Sequence, residues 1–267
     1  MPDSLFGSDS EEDEDQYEFL DASTPLDVED AAPTDQHPLA PRASCPSTVL
    51  GSDPRAPAPI PGLFLFPNAI PLDLQHVLTL NLSSSVWPST SNQVMLFDSP
   101  THSSLPNFLN PVLDLLPEIL SPIPESVRKI IFDNARPRQC ILNLYHPGQG
   151  IASHVDLPNR YDDAIVGISL LSPIVMDFTR APHLNPSQVS DDDVEARNQA
   201  AAILLEPGSV YVLSGPARYD YQHGIAYRFE DTVQDTANRT EVTIRRRTRM
   251  SITLRRLLPG AEIVGPS

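Results

Sequence analysis

The sequence predicts a mainly-β, α+β fold: a double-stranded β-helix (jelly roll) with supporting N-terminal helices, preceded by a disordered acidic tail. Eight short segments rich in Ile, Val, Leu, Thr or Tyr follow position 139. Pro-Gly, Ser-Pro and Ser-Gly turns separate several of them. The main helix-like segments precede this series, and strands after a helical segment suggest two packed sheets with helices on one face.

Taken in order, residues 1–60 are expected to be a disordered tail. The run Ser8-Asp9-Ser10-Glu11-Glu12-Asp13-Glu14-Asp15 is a block of like charge, and Pro/Ala/Ser-rich sequence follows it to Pro61. Such composition buries too little apolar surface to offset chain entropy. Tyr17, Phe19 and Leu20 leave room for a short motif that binds a protein partner. The folded domain is expected over 61–267, opening at Gly62-Leu63-Phe64-Leu65-Phe66. Helices are expected from Asn110 to Leu120 and from Glu125 to Phe132, with prolines stopping them. Strands are expected at Cys140–Tyr145, Ala164–Leu171, Ile174–Phe178, Ile203–Leu205, Ser209–Leu213, Arg218–Tyr221, Glu241–Arg246 and Met250–Arg256. Residues 181–202 read as a surface insertion in which Ser190 caps a short helix through Val194–Ala202. Residues 230–240 read as a second polar insertion.

The net charge of −17 is an average over two unlike parts. Residues 1–60 hold 14 acidic and 2 basic side chains, so the other 207 residues carry only −5. Cys45 and Cys140 are the two cysteines of the chain. They make no disulfide framework, and their neighbours do not suggest a zinc knuckle, which fits a reducing compartment. No signal peptide is visible and no apolar stretch reaches the roughly 20 residues that span a bilayer. The expectation is a protein of the nucleus and/or cytoplasm that does not engage a membrane.

The chemistry concentrates in three places. His154-Val155-Asp156 puts an imidazole and a carboxylate two positions apart, hence on one side of an extended chain. His223-Gly224 supplies a second imidazole. Two histidines and one carboxylate are the facial set of a non-haem Fe(II) site, which leaves positions open for a co-substrate and dioxygen. Gly148 and Gly150 allow a tight turn that delivers the first pair to the mouth of the sheet. In the last strand Arg249, Ser251, Thr253 and Arg255 share one face, with Met250, Ile252 and Leu254 on the other. A buried guanidinium needs an anionic partner, and its fork matches a carboxylate. Asn143 and Tyr145 repeat the pattern on an earlier strand. Metal ligands followed by anion-binding groups suggest an oxygenase that consumes a keto acid; a zinc hydrolase would leave Arg249 and Arg255 without a role.

From Asn143 to Arg255 the chain resembles the AlkB-like Fe(II)/2-oxoglutarate dioxygenases. The resemblance lies in Asn143-Leu144-Tyr145, His154-Val155-Asp156, His223-Gly224 and the strand Arg249 to Arg255, all in the family's order. Ile168 to Phe178 also resembles the family's strands between the ligands. The resemblance implies that His154, Asp156 and His223 are the catalytic metal ligands, holding Fe(II). It implies that Arg249, helped by Tyr145 and Ser251, pairs with the distal carboxylate of 2-oxoglutarate. Asn143 and Arg255 would hold the end that chelates iron. With dioxygen as the other co-substrate, the implied reaction oxidises a C–H bond and releases succinate; an N-methyl group would leave as formaldehyde. The family pattern is stretched here, since 67 positions separate Asp156 from His223.

The expected substrate is a modified nucleobase in DNA or RNA. Alternatives are a protein side chain, or a binding module without catalysis. Trp87, Met95, Phe97 and Phe108 are candidate stacking residues, although core packing explains each of them as well. Arg245-Arg246-Arg247, with Arg239 and Arg256, is the one basic cluster available for phosphate contact.

Overall fold

Three antiparallel sheets build the protein, described here by a computed structural model for residues 60–87, 91–99, 102–103, 105–181, 201–235 and 240–261. The first strand, β1 (Leu63–Phe66), is followed by α1 (Leu72–Asn81), which runs into a short π-turn at Leu82–Val86. Strands β2 (Gln93–Ser99) and β3 (His102–Ser103) precede α2 (Asn110–Ile119) and α3 (Glu125–Ile131). Pro111 lies in the first turn of α2, where its missing N–H costs nothing, and extended Pro124 sets the start of α3. Then come β4 (Arg138–Tyr145), β5 (Ile151–His154), β6 (Ile165–Leu170), β7 (Ile174–Arg180), β8 (Ala201–Leu205) and β9 (Val210–Leu213). A four-residue helix α4 (Pro216–Tyr219) leads into β10 (Tyr221–Ile225). Finally β11 (Glu230–Asp235), β12 (Thr240–Arg245) and β13 (Arg249–Arg256) complete the chain.

The large sheet has the order β1-β9-β6-β13-β4-β2-β3 and the smaller one β5-β10-β7-β8. Alternation along the strands decides what each face buries. Met250, Ile252 and Leu254 of β13, with Cys140 and Leu142 of β4, pack against Leu78, Leu109, Val112 and Leu116 of the helical layer. The other face of the large sheet meets the small sheet through Leu63, Leu65, Ile165, Tyr211 and Leu213 on one side and Ile174, Met176, Phe178, Ile203 and Ile225 on the other. All six residues of β6 are buried because both of its faces are covered. Helices on one face of a two-sheet sandwich is the jelly-roll architecture expected from the sequence. Among the described residues no helix is long and apolar enough to cross a membrane.

The structure corrects several local expectations. Arg218–Tyr221 is not a strand: Pro216 opens helix α4 after the turn at Gly215, and the strand begins only at Tyr221. The supposed insertion 230–240 is mostly regular structure, β11 pairing with β12 from Glu230↔Arg245 to Asp235↔Thr240. Its Val233 packs on Val175 and Ala202 of the small sheet, so that segment is part of the core rather than an excursion. Ala201 and Ala202 pair with Phe178 and Asp177 as strand β8, not as the end of a helix. The Ser190 cap lies outside the described residues, as do 1–59 of the expected tail. Strand β2, inside the segment read as helical, pairs with β4 and was not anticipated.

Candidate active site

His154 ends β5 and faces His223 of β10 directly in the antiparallel register, with a bulge between His223 and Ile225. The two imidazole centroids lie 4.6 Å apart with planes inclined at 45°. The strands come this close because Gly150 bears no side chain: a Cβ there would stand 2.1 Å from the Ile225 carbonyl oxygen. Nδ1 of His154 lies 2.8 Å from the Ala152 carbonyl. A carbonyl can only accept, so Nδ1 is the donor in this contact. Nε2 of His154 is 3.9 Å from the carboxylate of Asp156. Burial, reinforced by the neighbouring His154, lowers the His223 pKa to about 4, so its imidazole is neutral near pH 7. Two imidazoles and a carboxylate are thus assembled from β5, the loop that follows it and β10.

Asp156 is 8% exposed and is held from two sides. Its carboxylate accepts a hydrogen bond from Nη1 of Arg255. Its backbone carbonyl accepts one from Nη1 of Arg218 at 2.8 Å, and Nη2 of Arg218 reaches the carbonyls of Leu157 and Tyr161 at 3.3 Å each. Arg218 is buried, and burial lowers its pKa. It ties the loop after Asp156 to the short helix that introduces the His223 strand. Among the described residues no three His, Cys, Asp or Glu side chains are closed around one point, and Asp156 is engaged by Arg255.

Across the interior, β13 presents a polar row. Arg249 pairs in register with Tyr145, Ser251 with Asn143 and Arg255 with Gln139. On its other side Ser251 faces Ser169 and Thr253 faces Gly167 of β6. Arg249 is 2% exposed, donates from Nε to Ser169 Oγ at 3.0 Å, and lies 5.2 Å from the Tyr145 ring centroid. Burial lowers its pKa, while Tyr145 and Tyr211 act in the opposite direction. No carboxylate neutralises it among the described residues. Burial likewise pushes the Tyr145 phenol above its ordinary range, against the pull of Arg249 and a hydrogen bond with Ser251. Asn143 accepts from Gln93 Nε2 at 2.8 Å. Arg255 donates to Gln139 Oε1 at 2.7 Å and covers the Tyr161 ring at 3.9 Å. All eight residues singled out in the sequence therefore line the space between the two sheets.

The family model of the 2OG-Fe(II) oxygenase superfamily matches residues 96–255. The chain belongs to that superfamily. Its relatives carry AlkB names. The tRNA (carboxymethyluridine(34)-5-O)-methyltransferase ALKBH8 of Mus musculus is 36% identical over 119 residues, which are 45% of this chain and 16% of that protein. The alkylated DNA repair protein ALKBH8 homolog of Arabidopsis thaliana is 29% identical over 209 residues, 74% of this chain and 59% of that protein. The mitochondrial alpha-ketoglutarate-dependent dioxygenase alkB homolog 7 of Mus musculus is 36% identical over 94 residues, 33% and 37% of the two chains. The matched part spans less than two thirds of each of these relatives. This oxygenase is AlkB-like, and its family implies Fe(II) with 2-oxoglutarate and dioxygen as co-substrates. The donor set suits them: two imidazole nitrogens and a carboxylate on one side, a buried guanidinium without a carboxylate on the other.

Sequence reasoning missed several residues of this oxygenase site. Ser169, Gln139, Tyr161, Tyr211 and Arg218 all touch or flank the eight. Ser169 carried a signal, a lone hydroxyl in the apolar run of β6, opposite Ser251 once the strands are paired. Arg218 carried none, because its role depends on a helix read as a strand. The candidate stacking residues divide by face. Trp87 and Phe108 pack against the helical core, whereas Met95 is 43% exposed on the opposite face, with its sulfur 3.7 Å from Gln139 Nε2. The basic cluster dissolves: Arg246 is buried on Asp231, and Arg256 is buried on the carbonyls of Ile131 and Arg136. Arg239 lies outside the described residues, which leaves Arg245 and Arg247 at the surface.

Proposed function

We propose that this AlkB-like oxygenase oxidises a modified nucleobase in DNA or RNA. In this reading His154, Asp156 and His223 hold Fe(II), while Arg249, Tyr145 and Ser251 take the distal carboxylate of 2-oxoglutarate. Asn143 and Arg255 take the metal-chelating end. The observation that carries the reading is Arg249, a buried cation without a carboxylate partner among the described residues, facing the same interior as the imidazole pair. A buried charge in this state gains most from an incoming anion.

Bound there, iron and dioxygen supply the oxidation that turns 2-oxoglutarate into succinate and carbon dioxide and a substrate C–H into C–OH. The chain's own contribution is positional. The strand pair holds the two imidazoles side by side, and burial keeps that of His223 neutral. Arg218 fixes the backbone of Asp156. Arg255, now on Asp156, stands ready to transfer its hydrogen bonds to an incoming carboxylate. Exposed Leu157 directly follows Asp156 in the ligand loop, where a substrate would enter. The nucleobase assignment is supported by the tRNA methyltransferase and the alkylated DNA repair homolog among the relatives.

Anaerobic titration with Fe(II) and then 2-oxoglutarate should give a visible metal-to-ligand charge-transfer band. His154→Ala should abolish it, and Arg249→Ala should weaken 2-oxoglutarate binding by about 10- to 100-fold, the worth of a hydrogen-bonded charge. A folded, metal-loaded protein without the band would sink the site assignment. The substrate assignment is tested by formaldehyde or hydroxylated base released from a panel of methylated oligonucleotides. Silence across that panel, with oxygen gained on a trapped protein, would transfer the assignment to a protein side chain.

A further inference from the structure

We propose that a cavity on the helix-facing side of the large sheet binds a small amphipathic carboxylate, at a site apart from the imidazole pair. The cavity has a volume of about 640 Å³ and lies among α2, the end of α3, β4 and β13. Pockets of that size hold a small organic molecule. Helix α2 turns one stripe towards it, from Asn110 through Leu113 to Pro117, while Phe132, Val166 and Leu254 add apolar wall. Leu254 and Arg256 border it from the face of β13 opposite to Arg249 and Ser251, and Arg255 is shared with the imidazole side.

Its polar end is a row across three strands. The register sets Asp98 of β2 opposite Arg138 of β4, and Arg138 opposite Arg256 of β13. Register partners point to one face, so this row sets two guanidinium groups against one carboxylate. Asp98 accepts from Nη2 of Arg138 at 2.8 Å. Nε of Arg138 is buried and has no hydrogen-bond partner among the described residues. Arg256 is 4% exposed, and its donors go to neutral oxygens: the Ile131 carbonyl at 3.1 Å, the Arg136 carbonyl at 2.8 Å and Asn134 Oδ1 at 3.0 Å. Asp133, a further acid acting on Arg256, is paired with Arg136 at 2.7 Å, and Asp114 on α2 is exposed to water. Burial and the facing Arg138 lower the Arg256 pKa to about 10. The row is thus one anion short, beside an apolar chamber. A carboxylate placed at Arg138 and Arg256, with its apolar tail along α2, satisfies both.

The test is calorimetric titration of decanoate, below its micellar concentration, into the full chain. Decanoate should bind at a single site, with the same affinity whether or not Mn(II) and 2-oxoglutarate are present. Decanol, which keeps the tail and lacks the charge, should bind about tenfold more weakly. Arg138→Gln should weaken decanoate by about tenfold and leave decanol unchanged, whereas a merely structural role would weaken both. Leu113→Trp, which fills the cavity from α2, should abolish binding of either. If that variant does not fold, hydrogen exchange of the wild-type chain decides: decanoate should protect the amides of α2 and of residues 131–134. No saturable binding, displacement by 2-oxoglutarate, or protection confined to β5 and β10 would overturn the site. Decanol binding as tightly as decanoate would overturn the assignment of a carboxylate.

Discussion

Cys140 shows how much a single position can be governed by its surroundings. It lies on the helix-facing side of β4, has no exposed surface, and burial pushes its thiol up to about 12. Only the thiolate reacts with disulfide reagents, so in a Cys45→Ser chain Cys140 should resist Ellman's reagent at pH 8 until denaturant unfolds the protein. Stoichiometric labelling of the native chain would contradict that burial. The same shift fixes a sign. Below the unfolded thiol pKa of 9.0 both states are protonated and Cys140 adds no pH dependence. As pH rises from about 9 towards 12 the unfolded chain loses the proton first, so stability falls across that window.

At the scale of elements, the hairpin of β11 and β12 is the instructive one. Asp231 is wholly buried, accepts from Nε and Nη2 of Arg246 at 2.7 Å each and from Nε of Arg228 at 2.7 Å, and receives the Val175 N–H at 3.2 Å. Burial alone would raise its pKa, but the two arginines outweigh that and hold it below the usual range. Asp231→Asn would leave two guanidinium groups without their anion. We expect a loss of about 3–5 kcal/mol, read from the urea midpoint, and an unchanged midpoint would refute the anchoring role. This hairpin also marks what the sequence hid. Period-two alternation in β13 and β4 was legible because one face is polar and the other apolar. The helices α2 and α3 were legible from their prolines. Glu230 to Asp235 reads as a polar loop because Val233 is its one apolar side chain, and the pairing of its buried acid with Arg228 and Arg246 shows only in the fold. Helix α4 is too short for periodicity to show. The proposed ligand residues are readable from their order along the chain, but Ser169, Tyr211 and Arg218 are seen beside them only once strand register is known.

For the whole molecule, the large sheet begins with β1, which pairs with β9 and sends Leu63 and Leu65, together with Ile60, into the core between the sheets. A chain starting at Arg55 should therefore unfold cooperatively and bind 2-oxoglutarate as the full chain does. One starting at Pro67 loses four core side chains, Ile60, Leu63, Leu65 and Phe66, and an entire strand, and should fail to give a cooperative thermal transition. Normal folding of the shorter chain would mean that the sandwich closes without β1.

His154 and His223 are far apart in the chain but are direct partners across two strands. Four strands, β6 to β9, and the short helix α4 lie between them in sequence, yet the register sets the two imidazoles opposite each other. A search pattern that fixes the number of residues between the two ligands would pass over chains built in this way. One written as a pair of facing strand positions, with free length between them, would find them.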